Sequence, residues 1–279
     1  MLRHKASTAS KHVKANLSIK RIQLSKLVYW MSLKDIHPSE VVIVDLGCST
    51  CKDYESVMRV GILPENYIGF DVDIGSVEEA NRRLGREHAF VADLSAADAR
   101  RTIRMHMNIL RLSFAHIALC NFTLHHFRTN QQLFELIDPS PAVPNAFMME
   151  GCGVMCSILD ARNVQQDRVT ISNMVQLTIE RGGDVPKIIS KIIRNDVEEG
   201  TGKYAYSGEP ERCVYLDEVI RDGLKKNFIA ACSAECYNNA KIFDVEIQPY
   251  SARMEEEYHV NLSHFLSFHA TPVFCHYKL

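Results

Sequence analysis

No apolar run in this 279-residue chain approaches the roughly 18 residues that a membrane-spanning helix requires. No membrane partner is therefore expected. The N-terminus, Met1-Leu2-Arg3-His4-Lys5, is basic but leads into no apolar core, so no secretory leader is expected. The nine cysteines keep no regular spacing. That suits reduced thiols better than a disulfide framework or a zinc site, and no metal is expected. The compartment expected is reducing, cytoplasm or nucleus. Internal repeats and low-complexity tracts are absent too, which sets aside solenoids and disordered arrays. Acids are missing from residues 1–34, which carry eight Lys or Arg. A basic N-terminal segment can hold phosphates, although a solvated helix face reads the same way.

What is present is a globular composition, 46% hydrophobic, with a net charge of only −2. The length suffices for one α/β domain with a substantial core. Residues 1–12 read as a disordered basic tail, and 13–279 as a single domain with an excursive region at about 160–210. Apolar residues at 13, 17, 24, 28 and 31 have helical spacing, predicting an amphipathic helix from Val13 to about Met31. Five short apolar runs then alternate with helical stretches. The strands are expected at Val41–Asp45, Tyr67–Asp71, Ala89–Ala92, Phe114–Cys120 and within Ala146–Ser157. Ser76-Val77-Glu78-Glu79 reads as a capping box opening a helix. Val214–Leu224 is helical, and Ile242–Gln248 with Pro272–Lys278 read as a late antiparallel pair. The alternation predicts a mostly parallel, doubly wound sheet.

The first strand ends in Asp45-Leu46-Gly47-Cys48, and the second ends at Asp71, 26 residues after Asp45. An apolar strand, a glycine turn, a helix and a second strand closed by an acid form a nucleotide-binding βαβ pattern. The acid is placed to grip ribose hydroxyls. The chain has no GxGxxG, and the turn has one glycine, which favours S-adenosylmethionine over a dinucleotide. Ligands of parallel sheets bind at the carboxyl ends of the strands. The polar residues there are Asp45, Gly47, Asp71, Asp93 and the segment Asn121-Phe122-Thr123-Leu124-His125-His126-Phe127. Asp71 can accept both ribose hydroxyls and Asp93 an adenine amine, though a post-strand Asp also caps the next helix. Aromatic faces stack on bases and imidazoles bond base edges, so the strand-four segment suits a nucleobase. The other reading makes Phe122 and Phe127 core residues and leaves the histidines exposed.

These residues resemble the mRNA cap guanine-N7 methyltransferase family at four places in the same order. They are Asn16-Leu17-Ser18-Ile19-Lys20, Asp45-Leu46-Gly47-Cys48 through Asp53, Tyr67–Asp71, and Asn121-Phe122-Thr123-Leu124-His125-His126. The resemblance covers roughly residues 13–127, with a loose match over Tyr204–Leu216. It implies a Rossmann-like class I methyltransferase fold with S-adenosylmethionine as the methyl donor. It implies capped RNA and other capping-enzyme subunits as partners. By position, Lys20 would hold the methionine carboxylate, and Asp45, Gly47 and Asp53 would shape the methionine site. Asp71 would hold ribose and Asp93 would sit at adenine. Phe122, His125 and His126 would flank the guanine, and Glu211 is the acid nearest the family's cap-contacting Glu. Ser49 and Cys51 replace family glycines, and His126 stands where the family has Tyr. Such divergence suggests a viral or protistan source, and with a viral one a virion or viral factory as the location.

Guanine N7 has an in-plane lone pair and no proton, so its methylation needs positioning and no general base. Other acceptors fit less well. No Lys-Asp-Lys-Glu set for 2′-O transfer is identifiable. Strand four lacks the Asp/Asn-Pro-Pro-Tyr of adenine N6 enzymes, and no Pro-Cys serves cytosine C5 chemistry. Two alternatives stay open: another small-molecule or protein methyltransferase, and a non-catalytic cap-binding or capping-complex subunit.

Overall fold

The computed structural model describes residues 8–159, 161, 168–171, 175–180, 186–192, 207–230, 269–270 and 273–277. The chain divides into two compact units. One comprises residues 19–158, 216–231 and 271–279, and the other residues 1–18, 159–215 and 232–270.

In the first unit, the β-branched run before Asp45 forms β1 (Ile43–Leu46), buried along its whole length. Such continuous burial is typical of a parallel strand covered on both faces. Further along the chain come β2 (Tyr67–Asp71), β3 (Ala89–Val91), β4 (Ala115–Asn121) and β5 (Met148–Leu159). Between them run α2 (Tyr54–Arg59), α3 (Ile74–Leu84), α4 (Ala99–Ile109) and α5 (Asn130–Leu136). The helix α1 (Thr8–Ser32) precedes the sheet. Its Leu24, Leu27, Val28 and Met31 are buried, and Leu27 lies so close to Gly153 of β5 that a Cβ there would meet it at 2.7 Å. At its C-terminal end, Lys34 Nζ and Trp30 Nε1 both donate to the Gly151 carbonyl of β5.

The second unit holds four strands: β6 (Arg168–Ile171), β7 (Val175–Glu180), β8 (Lys187–Ile192) and β9 (Ser207–Arg212). They form an antiparallel sheet in sequence order. This sheet falls on the stretch read as excursive. The chain re-enters the first unit at α6 (Leu216–Leu224) and β10 (Phe228–Ala230). A two-residue strand, β11 (His269–Ala270), precedes β12 (Val273–His276).

Seven strands of the first unit lie in the order β10-β12-β5-β4-β1-β2-β3. β1 pairs in parallel with β2 and β4, β2 with β3, and β4 with β5. β12 runs antiparallel to both of its neighbours, β5 and β10. This is a Rossmann-like, mostly parallel doubly wound sheet, with its reversal late in the chain. The order turns back between β1 and β4, and ligands bind at such a switch point.

Three local expectations are corrected. α1 begins at Thr8, five residues before Val13; Ala9, Lys11 and Lys14 are good helix formers that extend it. α3 is capped by Asp73, whose carboxylate accepts from Ser76 N at 2.8 Å, so Ser76 lies inside the helix. The late pairing partner of β12 is β10, a three-residue strand too short to show a period. Residues 242–248, expected as that partner, lie outside the described residues. Among the described residues no helix is long and apolar enough to cross a membrane.

Candidate active site

At the carboxyl ends of the central strands a buried polar chain crosses four elements. Lys20 projects from α1 and donates to both oxygens of Asp53, at 3.0 and 2.8 Å. The two side chains are only 9% and 14% exposed. Asp53 occupies the N-cap position of α2, yet makes no capping bond with its side chain. Its carboxylate is turned toward Lys20 and toward Asn121 Nδ2, which donates at 2.7 Å. Asn121, the last residue of β4, accepts in turn from Ser157 Oγ of β5 at 2.8 Å. The structure thus joins Lys20 and Asp53, 33 positions apart.

The next residue, Phe122, has φ +57, a left-handed conformation that is costly for a side-chain-bearing residue. Its N–H donates to Ser157 O at 2.7 Å, which holds the turn. Lys20 Nζ lies 5.2 Å from the centroid of the Phe122 ring, within cation–π range. One ammonium therefore links an acid of the β1 turn with an aromatic of the β4 turn.

Asp71 ends β2. Its Oδ2 accepts from Ser49 N at 2.7 Å and its Oδ1 from Asp73 N at 3.0 Å. Capping of α3 falls to Asp73, so Asp71 is spared the usual task of a post-strand acid. Each carboxylate oxygen has a further lone pair, and the two backbone bonds fix their direction. Gly47 has φ +77, and a Cβ on it would lie 2.0 Å from Thr123 Oγ1. The glycine here admits a side chain of the β4 turn against the β1 turn. Gly69 of β2 has a comparable role, because a Cβ there would meet Cys48 Sγ at 2.8 Å and Cys51 Sγ at 3.4 Å.

Asp45 is 2% exposed and accepts from the Tyr67 phenol at 2.6 Å. Burial, followed by the nearby Asp53 charge, pushes its carboxyl up to about 7. It is thus a buried support beneath the turn. Asp93 is exposed at the end of β3, and its Oδ1 accepts from Ser95 N at 2.9 Å and Ser95 Oγ at 2.6 Å. Those bonds hold its carboxyl below the usual range. Beyond β4, Phe122 is half-buried, His125 is buried and His126 is exposed. Phe127 is 3% exposed and belongs to the core, as the alternative reading of that segment had it. Glu211 lies in the other unit, on β9 opposite Ile188 of β8. Burial pushes its carboxyl up to about 7.

Several residues escaped the reading of the sequence. Cys48-Ser49-Thr50-Cys51 is a C-x-x-C, passed over when the cysteines were read as irregular. The bond to Cys51 and then burial raise the Cys48 thiol strongly, so it stays protonated and packs as a small apolar group. The glycine of Tyr67-Ile68-Gly69-Phe70-Asp71 was the available signal for that packing. Ser157 was missed because it lies inside an apolar strand, and Tyr67, quoted with its motif, was given no role for its phenol.

The residues present fit an adenosyl donor with a methionine tail. An ammonium carries three N–H donors; Lys20 spends two on Asp53 and keeps one for a carboxylate. Asp71 offers oriented acceptors to a diol. In the same turn Thr50 Oγ1 is buried and lacks a partner, which a bound polar ligand would relieve.

No protein-family model and no curated protein matches this chain. Among solved structures, it is similar to an S-adenosylmethionine dependent methyltransferase from Mesorhizobium loti, at 16% identity over 89% of this chain and 97% of that one, with TM-score 0.47. It is similar to CalS10, an amino pentose methyltransferase from Micromonospora echinaspora solved with S-adenosylmethionine bound. There the identity is 12% over 81% and 86% of the two chains, with TM-score 0.44. The sugar N-methyltransferase KedS8 from a Streptoalloteichus species has 10% identity over 74% and 78%, with TM-score 0.44.

Proposed function

We propose that this protein transfers a methyl group from S-adenosylmethionine to N7 of the guanine cap of mRNA. The observation that carries the reading is the meeting of Lys20, Asp53 and Phe122 at the carboxyl ends of β1 and β4. A buried ion pair is an expensive way to hold a core together. It makes sense where a charged ligand is to be held beside an aromatic.

When bound, S-adenosylmethionine supplies an electrophilic methyl group on a sulfonium. The chain supplies the rest. Lys20 holds the methionine carboxylate, and Asp53 keeps the ammonium in place. Asp71 accepts from the ribose hydroxyls, while Asp45 and Gly47 shape the floor of the turn. Asp93 has its Oδ2 remaining for an adenine amine. Phe122, with His125 and His126 following it, forms the wall against which a guanine ring would rest. No side chain has to remove a proton, because N7 carries none. Excluding water and holding the ring in line is the whole of the protein's task.

The test is methyl transfer to GpppRNA, followed by digestion and identification of the methylated nucleoside. 7-Methylguanosine is the expected product. Transfer only to free nucleotides, sugars or peptides from a parallel panel would replace the cap reading with a small-molecule or protein acceptor. Donor binding without transfer to any of them would indicate a non-catalytic subunit.

A further inference from the structure

Asn121 and Ser157 have no place in the donor or acceptor roles above, yet both are buried polar residues of the sheet, at 9% and 1% exposure. We propose that they are positioning residues for the methyl donor, setting the Lys20–Asp53 pair from behind. The inference rests on the donor-binding reading and deepens it.

The argument starts from the amide of Asn121. Its two ends are similar in shape and opposite in hydrogen bonding, one donating and one accepting. If the oxygen faced Asp53, it would oppose a carboxylate at short range. Asp53 Oδ2, which can only accept, takes Nδ2 at 2.7 Å, and the Ser157 hydroxyl, donating to Asn121 Oδ1 at 2.8 Å, anchors the other end of the amide and so holds Nδ2 on that oxygen. With that oxygen fixed, the Lys20 ammonium is fixed as well. Ser157 acts twice, since its carbonyl also accepts from Phe122 N at 2.7 Å. One serine of β5 therefore orients both the cation and the turn bearing the aromatic. A packed strand has no use for a hydroxyl between Cys156 and Ile158, where burying one without a partner is costly.

The experiment measures S-adenosylhomocysteine affinity by calorimetry in the full chain, with thermal melts alongside. Wild type should bind. Ser157→Ala should bind at least about tenfold more weakly, as loss of a charge-linked bond implies. Ser157→Thr, which keeps the hydroxyl, should stay within about threefold of wild type. In an Asp53→Asn background, Ser157→Ala should cost less than about threefold, because the charge it positions is gone. Asn121→Asp adds a readout that packing alone would not move. Two adjoining carboxylates resist ionising together, so this variant's affinity relative to wild type should fall as pH rises from about 6 to about 8.

Equal losses from Ser157→Ala in the two backgrounds would overturn the proposal, as would a pH-independent ratio for Asn121→Asp. Should Ser157→Ala not fold, Ser157→Thr and Asn121→Asp decide the matter. A wild-type protein that binds no S-adenosylhomocysteine sinks the donor reading itself. A wild type that binds, with variants that match it, sinks only the clamp.

Discussion

Tyr67 of β2 donates its phenolic proton to Asp45 Oδ2 of β1 at 2.6 Å, with both residues sealed from solvent. The register places them two positions apart on adjacent parallel strands. Tyr67 thereby supplies the one strong bond that compensates the Asp45 carboxyl for losing water. The bond does not fully compensate, since burial still carries the carboxyl from 3.8 to about 7.

A pH dependence of stability follows. A carboxyl with a raised folded-state value binds its proton more tightly when folded. Its contribution is fully present below the unfolded value of 3.8 and is lost as pH rises through about 7. Within that window one such group contributes up to about 1.4 kcal/mol per pH unit. Thermal melts of wild type should therefore decline from pH 5 to pH 8 more steeply than those of Asp45→Asn, which cannot ionise. Parallel curves for the two proteins would show that Asp45 titrates normally.

Asp71 should govern donor affinity. Two charge-assisted bonds to ribose hydroxyls contribute about 1.5–3 kcal/mol each. Asp71→Ala should weaken S-adenosylhomocysteine binding at least tenfold. Asp71 also holds Ser49 N–H and Asp73 N–H, so Asp71→Asn, which keeps one acceptor, is the control and should lose less. Unchanged calorimetric affinity in Asp71→Ala would remove the residue from the site.

Lys20→Ala should reduce both donor affinity and stability. It leaves the Asp53 carboxylate, 14% exposed, without its counter-charge. Breaking a buried pair from one side costs about 3–5 kcal/mol. Lys20→Arg should recover part of the stability. Calorimetry reads the first effect and chemical denaturation the second; a Lys20→Ala protein as stable as wild type would contradict the burial of the pair.

Gly47→Ala should destabilise the chain by about 1–3 kcal/mol, from overpacking against Thr123 and from a positive φ that alanine disfavours. Thr123→Ala in the same chain removes the two nearest contacts, Oγ1 and Cγ2, and leaves Thr123 Cβ at 2.8 Å together with the backbone cost. The double variant should therefore recover only part of the loss in urea unfolding. Full recovery would mean that the left-handed conformation at Gly47 contributes nothing.

The acceptor wall is tested by Phe122→Ala and His126→Tyr. Phe122→Ala should abolish transfer to GpppRNA while donor affinity stays within a few-fold, since base stacking contributes about 1–3 kcal/mol. His126 is exposed, so His126→Tyr should leave the melting temperature unchanged and retain or raise activity. His125 is 5% exposed, and His125→Ala is interpretable only with its melting curve beside its activity. If His126→Tyr destroyed transfer while a folded His125→Ala kept it, the register of this motif against the cap enzymes would be wrong.

The sequence by itself determined the sheet's central strands and the polar residues at their carboxyl ends. Val41–Asp45 and Tyr67–Asp71 are legible because strands buried on both faces must be continuously apolar, and because chain-reversing turns need glycine or a small polar residue. Asp71 stood out as a candidate because an acid closing such a strand has no packing role, whereas Lys20 and Asp53 were named only through the resemblance of their motifs. Tertiary structure alone decided which of these charges meet. No period in the chain relates Lys20 to Asp53 or Asn121 to Ser157; parallel strands bring residues together through crossovers whose length the local pattern does not encode. The same holds for β10, which becomes a strand only because β12 pairs with it. Asp71 and Asp93 look alike in sequence, each an acid after a short strand. Their surroundings separate them. Asp73 caps α3 and leaves Asp71 facing the turn, whereas Asp93 is exposed and bonds Ser95. Hydrogen-bond partners are a property of the assembled fold, and only there does Asp71 reach across to the backbone of the β1 turn while Asp93 bonds within its own turn.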